Sequence, residues 1–138
     1  MTKEIWLNLP VKNVAASKAF FEKIGFSFNE QQTTEHSACM VVGSKKTVVM
    51  LFAEPIFVGF TGGAALSDAS KSAEILISFD AESRAEVDEI AQKAAAAGGS
   101  VFGKPSEIQG WMYGCGFADL DGHRWNALFM DFEKLPKN

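Results

Sequence analysis

Residues 5–11 (IWLNLPV) alternate between apolar and mixed positions, and the period then changes. Over 13–24 the apolar residues Ala16, Phe20, Phe21 and Ile24 recur at helical spacing, and Gly25 ends the run. Alternation sends successive side chains to opposite faces of a strand, whereas steps of three and four gather a stripe along a helix. The same switch occurs a second time. Residues 75–79 (ILISF) lead into 83–97, whose stripe is Val87, Ile90, Ala91 and Ala94, with a stop at Gly98. Asn13 and Ser83 suit the helix N-cap, and Ser83-Arg84-Ala85-Glu86 fits a reciprocal capping box. Strand-like segments follow each helix, at 26–28, 38–42 and 47–52 in the first half and at 100–102, 112–118 and 124–130 in the second. The pattern predicts an α+β fold made of two βαβββ modules.

An internal alignment supports the repeat. CMVVGSKKTVVMLF lies over CGFADLDGHRWNAL without a gap, which sets Cys39 on Cys115 and Met50 on Asn126. The chain is expected to form a single domain over 1–138, with module one at about 4–53, a connector at 54–72 and module two at about 73–131. The connector holds Gly59, Gly62 and Gly63 and reads as a long loop, a candidate lid or subunit-contact segment. Strand parity assigns faces. Ile5, Leu7, Leu9 and Val11 share one side and Trp6, Asn8 and Pro10 the other; Ile75, Ile77 and Phe79 oppose Glu74, Leu76 and Ser78. The uniformly apolar sets are expected beneath the helices, which frees the mixed sets to line something else.

Composition narrows the partners. The chain has 138 residues, 13 Lys plus Arg and 17 Asp plus Glu, a net charge of −4 with no basic cluster. Nucleic acid and anionic membrane are therefore not expected as partners. The longest apolar run, 48–53, is far short of the roughly 20 residues of a membrane span. The opening MTKEIWLNLP lacks the apolar core of a signal peptide, so a cytoplasmic location is expected. Cys39 and Cys115 are then reduced thiols, and their spacing matches no zinc pattern.

Two βαβββ modules with these motifs resemble the vicinal oxygen chelate superfamily of glyoxalase I, bleomycin resistance proteins and extradiol dioxygenases. The opening LNLPVKNVAASKAFFEKIGFSF resembles that family's first strand and helix, and FADLDGHRWNALFMD its closing hairpin, over roughly residues 4 to 131. The nearest likeness is to a bacterial group known as predicted lactoylglutathione lyases or PhnB-like proteins. The resemblance implies a cupped, barrel-like sheet, often completed by dimerisation, with four His, Glu or Gln side chains holding a divalent metal inside. Carried onto this chain, those four positions fall on Trp6, Met50, either Glu74 or Leu76, and Asn126.

These residues depart from the family's donor set. A transition metal needs imidazole or carboxylate donors, and indole offers no lone pair, a thioether is soft, and an Asn carbonyl is weak. Glu74 alone is an ordinary ligand. His36 and His123 form no paired-histidine motif and read as surface residues. No Ser-His-Asp arrangement is visible, Asp119 and Asp121 read as turn formers, and GFTGG at 59–63 lacks the Lys of a phosphate loop. The expected site is instead a cup lined by Trp6, Asn8, Met50, Glu74 and Asn126, with Trp111 and Tyr113 from QGWMYG. An aromatic pocket with few polar groups suits a small molecule. The expectation is a metal-free protein, without a cofactor, that binds a small partly aromatic or cationic ligand and forms a homodimer. Glu74 would supply the charge and Trp6 or Trp111 the stacking face. The alternatives are a metal-dependent lyase or extradiol dioxygenase with unusual ligands, among them Glu74, Asn126 and His36 or His123, and a dimerisation module with a vestigial cup.

Overall fold

The computed structural model describes residues 1–136. The chain divides into two compact units, Met1–Asp68 and Ala69–Asn138. The first contains strand β1 (Leu7–Val11), helix α1 (Val14–Ile24), β2 (Ser27–Phe28), a 3-10 turn (Glu30–Gln32), β3 (Ser37–Val42), β4 (Thr47–Ala53) and α2 (Glu54–Phe60). The second contains β5 (Leu76–Asp80), α3 (Arg84–Ala96), β6 (Ser100–Ile108), β7 (Met112–Ala118), β8 (Arg124–Met130) and a 3-10 turn (Phe132–Lys134). Both modules thus have the βαβββ order. Their sheets run β1-β4-β3-β2 and β5-β8-β7-β6, with β1 and β5 parallel to β4 and β8 and the other pairs antiparallel. Each is an open four-stranded sheet with two edges, not closed into a barrel by itself. No helix among the described residues is long and apolar enough to cross a membrane.

The helices start and stop where their caps dictate. The Asn13 side chain accepts from the Ala16 amide at 2.9 Å, and Ser83 from the Glu86 amide at 3.1 Å. Gly25 (φ 122°) and Gly98 (φ 104°) supply the left-handed residues that turn the chain out of α1 and α3. Helix α1 buries Val14, Phe20, Phe21 and Ile24 while Leu9, Val11, Ala38, Met40, Val49 and Leu51 form the buried side of the sheet. Register confirms that this is one face: Leu9 pairs with Leu51 and Leu51 with Ala38. In the second unit Ile77, Phe79, Cys115, Phe117, Trp125 and Ala127 share the face beneath α3. The Phe117 and Trp125 rings lie parallel within 5° there, 6.5 Å apart.

Several expectations shift at the strand ends. Ile5 and Ile75, expected beneath the helices, lie ahead of β1 and β5 and are 77% and 46% exposed. Without a neighbouring strand to hold it, alternation there no longer reports burial. The connector is not wholly loop, because Glu54–Phe60 is helical, with Pro55 in its first turn and Phe60 edge-on to Phe52 at 5.2 Å. Strand β6 runs six residues past the expected 100–102 through Gly103 and Pro105, absorbing them with register shifts between Val101 and Ser106.

The ungapped hairpin alignment is also corrected. Cys39 pairs with Met50, but Asn126 pairs with Gly116 rather than Cys115. The turn of the second unit, between Ala118 and Arg124, is one residue longer than that between Val42 and Thr47. One residue inverts the face. Cys115 points under α3, its Sγ 3.8 Å from the Val87 carbonyl oxygen, whereas Cys39 faces the other way and its thiol donates to Gln32 Oε1 at 3.5 Å.

Candidate functional site

The face of each sheet turned away from its long helix carries the mixed residues that parity singled out. In the first unit Asn8, Met50 and Cys39 form one cross-strand row, with Val48 two residues along from Met50. In the second, Ser78, Asn126 and Gly116 form the corresponding row. Ser78 is therefore the counterpart of Asn8. A Cβ at Gly116 would overlap the Phe102 ring, so glycine lets that ring lie across the open face, where the Arg124 guanidinium stands 4.5 Å above its centroid.

The first unit also has a cleft of about 660 Å³ at the start of β1. Ile5, Trp6, Val48 and Met50 form its apolar lining, and Gln32 and Thr47 add polar atoms. Trp6 stands one residue ahead of β1 and is 57% exposed, so most of the indole is open to a ligand. Asn8 lies on the same face, exposed, but outside the cleft lining. Leu76 occupies the equivalent position before the second helix cap and is likewise 52% exposed.

The remaining expected residues separate. Glu74 is exposed and precedes β5, so strand parity does not fix its direction. Asn126 is half-buried within the open face. Trp111 sits in the turn before β7, its ring 5.9 Å from that of Phe132 and its carbonyl accepting from the Asp131 amide at 2.8 Å. Tyr113 is a correction. It pairs with Phe129 and shares the face of Cys115 and Phe117, so it lies on the helix side, where its hydroxyl donates to Asp88 Oδ1 on α3 at 2.6 Å. Arg84, which donates to Glu107 at 2.9 Å, lies 5.8 Å over the Tyr113 ring and 5.3 Å over that of Phe129. This group clamps α3 onto its sheet.

The hydrogen bond to Asp88 holds the Tyr113 proton and pushes its pKa above the ordinary tyrosine value. Because folding raises this pKa, the corresponding stability is present below the unfolded value of about 10 and is lost as pH rises through the folded one. The chain has a single tyrosine, so ultraviolet titration reads this group alone. The midpoint is expected above that of the urea-unfolded chain, and Asp88→Asn is expected to lower it. Coincident midpoints for folded and unfolded protein would refute the contact.

Reactive chemistry is sparse. Burial pushes both thiols up, away from the thiolate form a nucleophile needs. His36 is exposed beside Glu35, with Nε2 and Oε1 3.1 Å apart. Asp119 is buried and serves the hairpin turn: its carboxylate accepts from the Asp121 and His123 amides at 3.0 Å each and from Trp125 Nε1 at 3.1 Å. Burial raises its pKa against the pull of His123 and these donors. Among the described residues no three His, Cys, Asp or Glu side chains gather as a metal ion would require. The donor chemistry of Trp6, Met50, Leu76 or Glu74, and Asn126 does not fit a transition metal either, since it offers at most one ordinary ligand. Sequence parity missed Gln32 and Thr47 in the cleft and Phe102 and Arg124 on the second face. Phe102 and Arg124 were legible, Arg124 sharing the parity of Asn126, whereas Gln32 lies in a turn outside the strands and Thr47 has the opposite parity to Met50.

Residues 3–43 match a family model described as bleomycin resistance protein-like N-terminal. A hypothetical protein from S. aureus is 30% identical, superposes with a TM-score of 0.80 and is covered over 94% of each chain. A glyoxalase/bleomycin resistance protein/dioxygenase family enzyme from Burkholderia phytofirmans is 18% identical with a TM-score of 0.76, over 91% of this chain and 96% of that one. A fosfomycin resistance protein from Listeria monocytogenes, solved with Mn(II) and sulfate, is 16% identical with a TM-score of 0.69, over 97% and 94%. No curated protein matches the chain.

Proposed function

The chain belongs to the glyoxalase/bleomycin resistance/dioxygenase family, within the vicinal oxygen chelate superfamily, and from that premise we propose that it binds a small, partly aromatic molecule without a metal. The observation that carries this reading is the cleft of about 660 Å³ with a half-exposed indole at its rim and Met50 in its lining. That volume suits a drug-sized ligand. An exposed tryptophan offers a rigid stacking surface at little cost in side-chain entropy. A metal is no part of this reading, since the four positions that the family resemblance assigns to metal ligands supply here an indole, a thioether, an alkyl group or exposed carboxylate, and an amide. Glu74 has no strand to orient it and gives weak support to a cationic ligand. Exposed Phe60, Phe102 and Leu76 favour a homodimer, because exposed large apolar side chains are commonly covered by a second copy.

The test uses untagged protein. Metal analysis is expected to find no stoichiometric transition metal, and light scattering a dimer mass. A thermal-shift screen of small aromatic compounds is expected to find stabilisers, since a ligand at about a hundred times its Kd adds roughly 2.7 kcal/mol. A tightly held stoichiometric metal would replace this reading with that of a metal-dependent lyase or dioxygenase. A screen without stabilisers would favour a vestigial site.

A further inference from the structure

The cleft of the first unit has a charge that neither its sheet face nor the composition of the chain foreshadows. Besides Trp6, Val48 and Met50 it is walled by Lys3, Lys45 and Lys46, with Glu4 the one acidic residue in the lining. The whole chain carries −4, so this is a local reversal of sign. None of the three lysines is engaged in an ion pair among the described residues, whereas Lys18 and Lys93 are bound to Glu30 and Glu89 at 2.8 Å each. Their ammonium groups are therefore available to a ligand.

The backbone adds an independent sign. Lys46 closes the β3–β4 turn at φ 57°, in the left-handed region that favours glycine or asparagine. A lysine there is the less stable choice for the turn. Non-glycine residues in this region tend to persist where another role holds them. Here the effect is to place two consecutive lysines beside an exposed indole.

We propose that the cleft selects a small aromatic anion, its ring stacked on Trp6 and its carboxylate, sulfonate or phosphate group held by Lys3, Lys45 and Lys46. This rests on the small-molecule reading above and names the chemical class of its ligand. Ammonium groups attract such an anion as point charges, and an apolar floor of Val48 and Met50 lowers the local dielectric and strengthens that attraction. Glu4 opposes it, but one carboxylate against three ammonium groups leaves the cleft positive.

The experiment compares naphthoate, naphthylmethanol and naphthylmethylammonium, which share a ring system and differ in charge, by calorimetry on the full chain. Naphthoate is expected to bind at least about tenfold more tightly than the other two. That preference is expected to weaken as salt is raised, through screening of the exposed lysines. In the variant Lys45→Ala/Lys46→Gly the preference is expected to fall to about twofold or less. Glycine suits the backbone at 46, so an unchanged or higher urea midpoint will show that the fold survives. Equal binding of all three probes, with loss of all three in Trp6→Ala, would overturn the charge selectivity and leave the small-molecule reading standing. Tighter binding of the ammonium compound would overturn the inference, as would a preference that survives in the double variant. Absence of binding by all three would also overturn it, and the thermal-shift screen would then decide the broader reading.

Discussion

Asp119→Ala is expected to destabilise the protein by about 3 kcal/mol, read as a lower urea midpoint with an unchanged slope. The carboxylate is 6% exposed and accepts three N–H groups, two from the backbone of its own turn and one from the Trp125 indole. Removing it withdraws the acceptor from all three at once, and a buried donor left without its acceptor costs roughly 1 to 3 kcal/mol. Trp125 is fully buried against Phe79 and Phe117, so the loss reaches the core beneath α3. Asp119→Asn separates the contributions. Its amide oxygen can keep the two backbone bonds, but its NH2 group then meets the indole N–H, donor against donor. About half the loss is expected. A drop below about 1 kcal/mol for the alanine variant would mean that the turn is held by its backbone alone.

The same turn explains why the sequence could be read so far and no further. Helix caps, glycine stops and apolar stripes are local, and they place α1 and α3 within a residue of their ends. Facing is local too, as long as a strand has neighbours, which is why Leu9, Val11, Ile77 and Phe79 fall where parity puts them. It fails at Ile5 and Ile75, just outside the ladders. Register across a hairpin depends on the number of residues in the turn, and the cysteine match concealed the extra one in the second unit. Tyr113 was legible. In MYGCGFA the bulky Tyr113, Cys115 and Phe117 alternate with glycine, and the bulky set belongs under the helix. The glycine set leaves room on the open face for Phe102 and Leu128. The cleft was not legible, because its basic wall comes from a turn and from residues ahead of β1, where no periodicity operates.

Trp6→Ala is expected to weaken binding of an aromatic probe such as naphthoate by about thirtyfold, the size of a dominant aromatic contact at roughly 2 kcal/mol. The indole is 57% exposed and ahead of β1, so the same substitution is expected to change folding stability by less than about 0.5 kcal/mol. A large effect on affinity beside a small one on stability identifies a side chain held out for a ligand. A side chain filling the core would show the reverse. Trp6→Phe keeps a stacking face and is expected to lose only a few-fold. Met50→Leu conserves volume and is expected to be nearly silent. Glu74→Gln is the control for charge. Glu74 is exposed ahead of β5 and outside the lining of this cleft, so its neutralisation is expected to leave naphthoate affinity within about twofold. A tenfold loss in Glu74→Gln would return that carboxylate to the binding site and, with it, the metal or cationic-ligand chemistry that its neighbours do not support. Equal affinity in wild type and Trp6→Ala would remove the indole from the site, and the lysines would then act on the anion without a stacking partner.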